Sequence, residues 1–214
     1  MSVPPLVDLY EEKWTSTLSG FDNNKLNLVY AGSPGITKDK LKFFIESLYE
    51  CKEVADFSLN IIGISKEQYT ATFKELKPIL NQLGDKIVFH GRISHVDSLR
   101  YVMMSDFSVF FRDDTRTTKA GFPTKFVESI SCGTPVITTR NGDLEQFIFE
   151  GENGYFVDLM DKKNVLLVLR KVFGLKKEDI SRMRKKCKES NNFHYENYRN
   201  EISQFLRKIQ SGSE

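Results

Sequence analysis

The residues best suited to binding chemistry lie between positions 120 and 136. Gly121 belongs to a polar loop, Pro123 or Thr124 suits the first position of a helix, and Glu128 follows about one turn later. A Cys-Gly pair ends this predicted helix, and an apolar run then predicts a buried strand. The layout directs backbone N–H groups and one carboxylate toward a single point. A ligand that carries both a phosphate and a sugar hydroxyl fits such a site.

A second loop, residues 32–38, has a related composition. Gly32 and Gly35 permit tight turns and a close approach of the backbone to a ligand. Lys38 stands at the opening of a predicted helix, where the helix dipole disfavours a cation. A bound phosphate would reverse that penalty. The alternative interpretation is a solvated lysine beside a polar loop.

The helix start after the loop that contains Gly121 suggests a diphosphate contact. The backbone from Gly121 to Thr124 offers N–H groups, and Lys119 or Lys125 could add positive charge. Glu128 could hold the two hydroxyls of a ribose. The alternatives are an ordinary capped helix start and an acidic residue stabilised by the helix dipole.

Other chemistry-bearing residues favour plainer interpretations. Asp113 and Asp114 form adjacent carboxylates, but Arg112 and Arg116 flank them, which favours a solvated and internally paired cluster over a metal site. His90 ends an apolar strand and is interpreted as structural rather than catalytic. The histidines fall in no recognised pattern with the serines or cysteines, so no nucleophilic triad is predicted.

The elements that must position these residues alternate along the chain. Short continuous apolar runs predict strands over 26–31, 57–62, 86–90, 106–111, 135–139 and 155–158. Helical spacing of apolar residues predicts helices over 38–49, 66–82, 94–104, 124–132, 162–173 and 177–211, the last interrupted near Asn191. Strand followed by helix, several times over, is the signature of a Rossmann-like, doubly wound α/β domain. We therefore expect a parallel sheet of about six strands with helices on both faces.

The expected topology places both candidate loops at one point. In the common strand order 3-2-1-4-5-6, ligands bind where the order reverses, at the carboxyl ends of the first and fourth strands. Those ends lead into residues 32–38 and 112–124, which are the two loops richest in Gly, Thr and Lys. The fold argument and the composition argument therefore select the same place.

The composition of the chain excludes several classes of protein. The 214 residues carry 40% hydrophobic and 28% charged side chains with a net charge of +2, which are ordinary globular values and give no sign of nucleic-acid binding. Three scattered cysteines favour a reducing compartment over a disulfide framework. Neither a membrane span of ~18 apolar residues nor a signal-peptide pattern is visible, so a cytoplasmic protein is expected.

Three segments resemble a known family. The run Tyr30 to Lys38, the run Val88 to Arg92, and residues 121–157 are similar to the C-terminal, donor-binding domain of GT-B glycosyltransferases, in the retaining family 4 group. The resemblance extends over about residues 26–205. It implies transfer of a sugar from a nucleoside diphosphate, with no metal or other cofactor, to a glycan or a lipid-linked acceptor.

The resemblance also implies roles for individual residues. Glu128 would bind the donor ribose, Lys38 the phosphate, and Gly91, Arg92 and Ile93 would flank the nucleobase. The donor-binding set is Gly32, Lys38, Arg92, Lys119, Gly121, Phe122, Pro123, Thr124 and Glu128; catalytic residues are unknown.

Two positions depart from the family pattern. Ala120 replaces the first glutamate of the motif that ends at Glu128, and Ser33 replaces a phosphate-binding arginine. Asp113 or Asp114 would substitute for the glutamate, or the donor is held differently. Lys119 or Arg116 would supply the missing positive charge.

The family's enzymes have two Rossmann-like domains, so the resemblance implies a missing N-terminal acceptor domain as a partner. The expected division is a linker over 1–24, a nucleotide-sugar-binding domain over 25–190, and a crossover helix over 191–214. The expected pathway is polysaccharide or glycoconjugate synthesis.

One alternative function and one surface remain open. The chain could be a non-catalytic nucleotide-binding module. An NAD-linked oxidoreductase is disfavoured, because it would need a G-x-G-x-x-G spacing that the loop after the first strand lacks. The basic segment 176–188 is either a solvated face or a surface for peripheral association with anionic lipid, at the inner face of a membrane.

Overall fold

The computed structural model describes residues 3–15, 21, 25–34, 39–119 and 121–211. Six parallel strands form one sheet in the order β3-β2-β1-β4-β5-β6. The strands are β1 (Leu26–Ala31), β2 (Phe57–Ile62), β3 (Ile87–Gly91), β4 (Phe107–Phe110), β5 (Val136–Thr139) and β6 (Gly154–Val157). The order therefore reverses between β1 and β4, as the strand–helix alternation predicted.

Nine α-helices lie in the described part of the chain. They are α1 (Leu41–Glu50), α2 (Lys66–Thr72), α3 (Lys77–Leu83), α4 (His95–Met104), α5 (Arg116–Lys119), α6 (Thr124–Ser131), α7 (Lys162–Phe173), α8 (Lys177–Ser190) and α9 (Arg199–Gln210). Short 3-10 helices cover Glu12–Trp14, Lys74–Leu76, Gly84–Lys86, Gly142–Gln146 and Tyr195–Tyr198. Within the same residues, no helix combines the length and the apolar character that crossing a bilayer requires.

The core forms on both faces of the sheet because successive strand residues point to opposite sides. Leu28 of β1 belongs to a buried cluster with Phe44 of α1 and Leu169 of α7. Its neighbour Val29 packs instead with Leu99 of α4. These residues are fully or almost fully buried. The prediction of a sheet covered by helices on both faces is confirmed.

The predicted helix over 66–82 is wrong as a continuous element. α2 ends at Thr72, a 3-10 turn follows, and α3 starts anew at Lys77. Pro78 lies in the first turn of α3, where its missing N–H and its fixed φ are tolerated, whereas the interior of a long helix excludes it.

Two further elements refine the sequence interpretation. The interruption predicted near Asn191 is confirmed, since Asn191 adopts a left-handed conformation with φ of 45° and ends α8. The polar loop over 112–124 contains one helical turn, α5, which the sequence did not reveal.

The N-terminal segment packs onto the domain. Val7 donates its N–H to Phe193 O at 2.9 Å, and its carbonyl accepts the N–H of Tyr195 at 3.1 Å. Trp14 is 5% exposed and lies in the cluster that contains Leu99. The division of the chain at residues 24 and 190 stays a prediction.

Candidate functional site

Gly32, directly after β1, and the start of α6, which follows the loop after β4, meet at the carboxyl ends of these two strands. Gly32 follows β1 with φ of 145°, and a Cβ built on it would lie 2.4 Å from Lys125 Cε. Lys125 belongs to the first turn of α6. The backbone of the loop after β1 therefore lies against a side chain of α6, the helix that follows the loop after β4.

A buried ionic cluster lies directly behind this contact. The Asp39 carboxylate accepts from Arg112 Nε at 3.1 Å and from the Tyr30 hydroxyl at 2.6 Å, and it also contacts the Lys125 ammonium. Lys125 Nζ lies 2.9 Å from the Tyr30 hydroxyl oxygen and 4.1 Å above the centre of the Tyr30 ring. The side chains of Asp39, Arg112 and Lys125 are 0%, 10% and 14% exposed.

The cluster sets the protonation of its members. Burial by itself would raise the pKa of Asp39, but Lys125, the Tyr30 hydrogen bond and Arg112 together hold that pKa below its usual value. Burial, and then the Asp39 charge, raise the pKa of Tyr30, so its hydroxyl stays protonated. Asp39 is therefore a carboxylate and Tyr30 a neutral hydrogen-bond donor.

Arg112 is fixed from two directions. Its backbone N–H donates to Thr139 Oγ1 at 3.0 Å, and its carbonyl accepts the Thr139 hydroxyl at 2.8 Å. Its Nε is held by Asp39, while the two terminal guanidinium nitrogens have no hydrogen-bond partner among the described residues. The sequence interpretation placed Arg112 in a solvated cluster, and the structure shows it to be buried.

The start of α6 offers backbone donors. Pro123 occupies the N-cap position and no side chain caps the helix. Gly121 and Thr124 are exposed. The ring of Phe122 packs against Phe126, Phe147 and Phe193, so its backbone is the part suited to lining a ligand.

Glu128 has a partner that the sequence did not reveal. Its Oε1 lies 3.0 Å from Nε2 of His95, and the side chains are 29% and 55% exposed. His95 is the first residue of α4, directly after the loop that contains Arg92, and Arg92 is exposed. No local pattern links positions 95 and 128, because the contact joins two separate helices.

His90 is held by structural hydrogen bonds. Its Nε2 lies 2.8 Å from Asn60 Oδ1, and its Nδ1 lies 3.2 Å from the Tyr101 hydroxyl. Burial lowers the pKa of His90, which favours the neutral ring. These contacts support the structural interpretation of this residue.

In the acidic pair after β4, Asp113 is ion-paired with Lys40, whereas the sequence interpretation paired it with the flanking arginines. Asp113 Oδ2 lies 2.6 Å from Lys40 Nζ, and the Asp113 carbonyl accepts from Asn141 Nδ2 at 2.9 Å. Among the described residues, no group of three or more His, Cys, Asp or Glu side chains is arranged to hold a metal ion.

Some predicted residues lie outside what the structure describes. Lys38 and Ala120 are in undescribed segments, and only the backbone of Lys119, at the end of α5, is described. Their predicted roles stay predictions. Of the other predicted donor residues, Gly32 and the segment from Gly121 to Thr124 lie near Lys125, while Glu128 faces the start of α4.

A cavity of ≈ 740 Å³ lies beside the predicted crevice, at the carboxyl ends of β4, β5 and β6. Arg112 lines it, but Gly32 and Glu128 do not. Several of its charges are already paired: Asp113 with Lys40, Arg140 with Glu145 at 2.8 Å, and Asp158 with the N–H of Met160 at 2.9 Å. The cavity therefore adjoins the candidate site through Arg112 and is not the site that the sequence predicted.

The basic segment predicted over 176–188 is largely engaged within the protein. The Arg184 guanidinium donates to the carbonyls of Met103 and Ser105 at the end of α4. Arg182 contacts Asp179, and Lys185 Nζ lies 3.6 Å from Glu189 Oε1. These contacts favour a structural role and a solvated face for α8.

Comparison with known proteins gives a family match. A sequence model described as "Glycosyl transferases group 1" matches residues 25–174. The chain is 30% identical over 126 residues to N-acetyl-alpha-D-glucosaminyl L-malate synthase of Bacillus anthracis, a match that spans 58% of this chain and 30% of that protein. The chain thus spans less than a third of this curated relative.

Solved structures share the fold. A glycosyltransferase from Rickettsia africae ESF-5 superposes with a TM-score of 0.75 at 16% identity, covering 100% of this chain and 58% of that one. Anabaena Alr3699/HepE in complex with UDP-glucose superposes with a TM-score of 0.63 at 15% identity, covering 86% and 49%.

Proposed function

We propose that this chain holds a nucleoside-diphosphate sugar for glycosyl transfer. The chain belongs to the glycosyl transferases group 1 family, because the family's sequence model matches residues 25–174. Its Rossmann-like sheet has the architecture of one domain of a GT-B glycosyltransferase. The donor would lie at the carboxyl ends of β1 and β4, where the strand order reverses.

The observation that carries the proposal is the buried guanidinium of Arg112 at this point. Its side chain is 10% exposed and Asp39 holds its Nε, while its terminal nitrogens have no hydrogen-bond partner among the described residues. Buried donors that lack acceptors are unfavourable, so an anion that accepts from them would stabilise the cluster. A diphosphate beside Gly32 would supply that anion.

The geometry offers donors for such an anion. The terminal nitrogens of Arg112 suit bidentate contact with phosphate oxygens, and the uncapped N-terminus of α6 directs further N–H groups outward. These groups compensate for the serine at position 33, where the family pattern has an arginine. Lys125 and Arg112 therefore take the role that the sequence interpretation gave to Lys119 or Arg116.

Glu128 would accept the ribose hydroxyls. Its carboxylate lies on α6, the helix whose first turn supplies Lys125, so phosphate and ribose would be read from one rigid element. Anabaena Alr3699/HepE, whose structure contains UDP-glucose, supports a nucleotide sugar as the donor class.

In the reaction, the bond between the anomeric carbon and the diphosphate oxygen breaks, and an acceptor hydroxyl oxygen bonds to that carbon with retention of configuration. The diphosphate leaves with the electron pair of the broken bond, and the proton of the acceptor hydroxyl passes to the leaving diphosphate or to water. Lys125, Arg112 and the α6 N-terminus would stabilise the charge that develops on the leaving group, so the scheme needs no metal. A second domain, as in the family's enzymes, would bind the glycan or lipid-linked acceptor.

A second function is favoured by one residue. Ala120 stands where the family pattern has a glutamate that contacts the donor sugar. Loss of that glutamate is expected in a chain that binds the nucleotide but transfers no sugar. Incubation with nucleotide sugars and detection of released nucleoside diphosphate or glycan product separates the two functions.

Calorimetric titration of UDP, GDP and ADP into the chain tests donor binding. We expect one of them to bind and Lys125→Gln to weaken that binding at least tenfold, while Lys163→Gln, an exposed lysine on α7, has no effect. Binding of the corresponding nucleoside should be unchanged by Lys125→Gln, since a nucleoside has no phosphate. If the folded chain binds none of the three diphosphates, the proposal is wrong.

A further inference from the structure

The contact between His95 and Glu128 joins the two parts of the site that read the nucleoside. His95 opens α4, directly after the loop predicted to flank the base, and Glu128 lies on α6. The atoms in contact are His95 Nε2 and Glu128 Oε1, at 3.0 Å. The imidazole thus reaches the carboxylate that the proposed function places on the ribose.

The contact occupies only part of the carboxylate. Among the described residues, Oε2 of Glu128 has no hydrogen-bond partner, and a carboxylate accepts several hydrogen bonds over its two oxygens. A pair of ribose hydroxyls can therefore bind Glu128 while His95 keeps its own hydrogen bond.

The helices that carry the two residues hold the contact in place. α4 begins at a capped turn, in which Ser94 Oγ accepts the N–H of Asp97 at 3.1 Å, and α4 packs against α6. His95 is consequently presented from a rigid helix start. A hydrogen bond to His95 therefore favours one conformation of the otherwise flexible Glu128 side chain.

We propose that His95 is a positioning residue that orients the Glu128 carboxylate for the ribose diol of the donor. This inference rests on the proposed function. It adds a residue that discriminates ribose from deoxyribose, and it links the loop that flanks the base to the recognition of the sugar. His95 acts through Glu128 and has no assigned part in the transfer step.

The test compares ribonucleotides with deoxyribonucleotides. Dissociation constants are measured by calorimetry for UDP, GDP and ADP and for their 2′-deoxy counterparts, with the 214-residue chain and four variants. The variants are His95→Phe, His95→Gln, Glu128→Gln and the double variant His95→Phe/Glu128→Gln. Arg100→Gln, an exposed change on the same helix, is the matched control.

We expect His95→Phe to weaken binding of the preferred ribonucleoside diphosphate about five- to tenfold, which corresponds to the loss of about one hydrogen bond. Its 2′-deoxy counterpart should change less than twofold. His95→Gln should restore most of the affinity, because its amide can donate to Glu128. In the double variant the two effects should not multiply, since both remove the same interaction.

Other outcomes overturn the inference. Equal weakening of ribo- and deoxyribonucleotide by His95→Phe would show a purely structural role, and tighter binding would show that His95 competes with the ribose. Independent effects in the double variant would show that His95 does not act through Glu128. Failure of the folded wild-type chain to bind any nucleoside diphosphate would instead show that the proposed function is wrong, and the inference with it.

Discussion

The side chain of Lys125 lies over Gly32, so that the first glycine loop and the start of α6 form one surface. A Cβ at position 32 would lie 2.4 Å from Lys125 Cε and 2.8 Å from Lys125 Nζ. The carbonyl of Gly32 is equally crowded, since a Cβ on Gly63 would lie 2.2 Å from it. Only glycine at position 32 lets Lys125 reach Asp39 and Tyr30 as it does.

Gly32→Ala should therefore damage both stability and binding. Its φ of 145° disfavours an alanine, and the new methyl group would displace Lys125, so we expect a cost of about 1–3 kcal/mol in the free energy of unfolding. Gly121→Ala is the matched control, because nothing lies within 4 Å of its Cβ, and it should change stability by less than about 0.5 kcal/mol. Urea unfolding checks both values. Similar costs for the two variants would contradict the crowding seen at Gly32.

Asp39→Asn should be among the more destabilising polar substitutions. The change removes the carboxylate that Arg112 and Lys125 share, and breaking such a buried pair costs about 3–5 kcal/mol. Tyr30→Phe removes the hydroxyl that donates to this carboxylate and accepts from Lys125, and it should cost about 1.5–3 kcal/mol, the value typical of hydrogen bonds to charged groups. Guanidinium unfolding of both variants measures the difference. Equal losses would mean that the charges of the cluster contribute little.

The same cluster predicts acid sensitivity. The pKa of Asp39 is lower in the folded chain than its ordinary value of 3.8, so the unfolded state binds this proton first as the pH falls. The stabilisation is complete well above pH 3.8 and is lost as the pH falls below that value toward the folded pKa. Urea unfolding of wild type and Asp39→Asn from pH 6 to pH 3 should show their stability difference shrinking toward the acid end. A difference that is independent of pH would contradict the assignment.

The cysteines should be unreactive in the native protein. Burial raises the pKa of the Cys132 and Cys187 thiols to about 12, and it also raises that of Cys51. Since the thiolate is the reactive form, a disulfide reagent such as DTNB should label all three only after unfolding. Rapid labelling of the folded chain would show that one of these sites opens readily.

Much of the fold could be predicted from the chain itself. Apolar runs such as Leu26–Ala31 mark strands that helices cover on both faces, and the strand–helix alternation then allows few topologies. The break at Pro78 was missed because the apolar spacing continues through it, although the chemistry of proline forbids a regular helix there. The short helix α5 has no apolar periodicity to reveal it.

The candidate site, like the fold, could be predicted from the sequence only in part. The two loops, the start of α6 and the topological switch point could be predicted from the residues, because these features depend on local backbone preferences and on strand order. Which side chains meet could not be predicted, because their contacts form only in the folded chain. Asp39 lies 73 positions from Arg112 and 86 from Lys125, and His95 lies 33 from Glu128. Such pairs are set by how helices pack across the sheet, and a local pattern carries no record of them; that packing is why charges distant in sequence come together as one buried cluster.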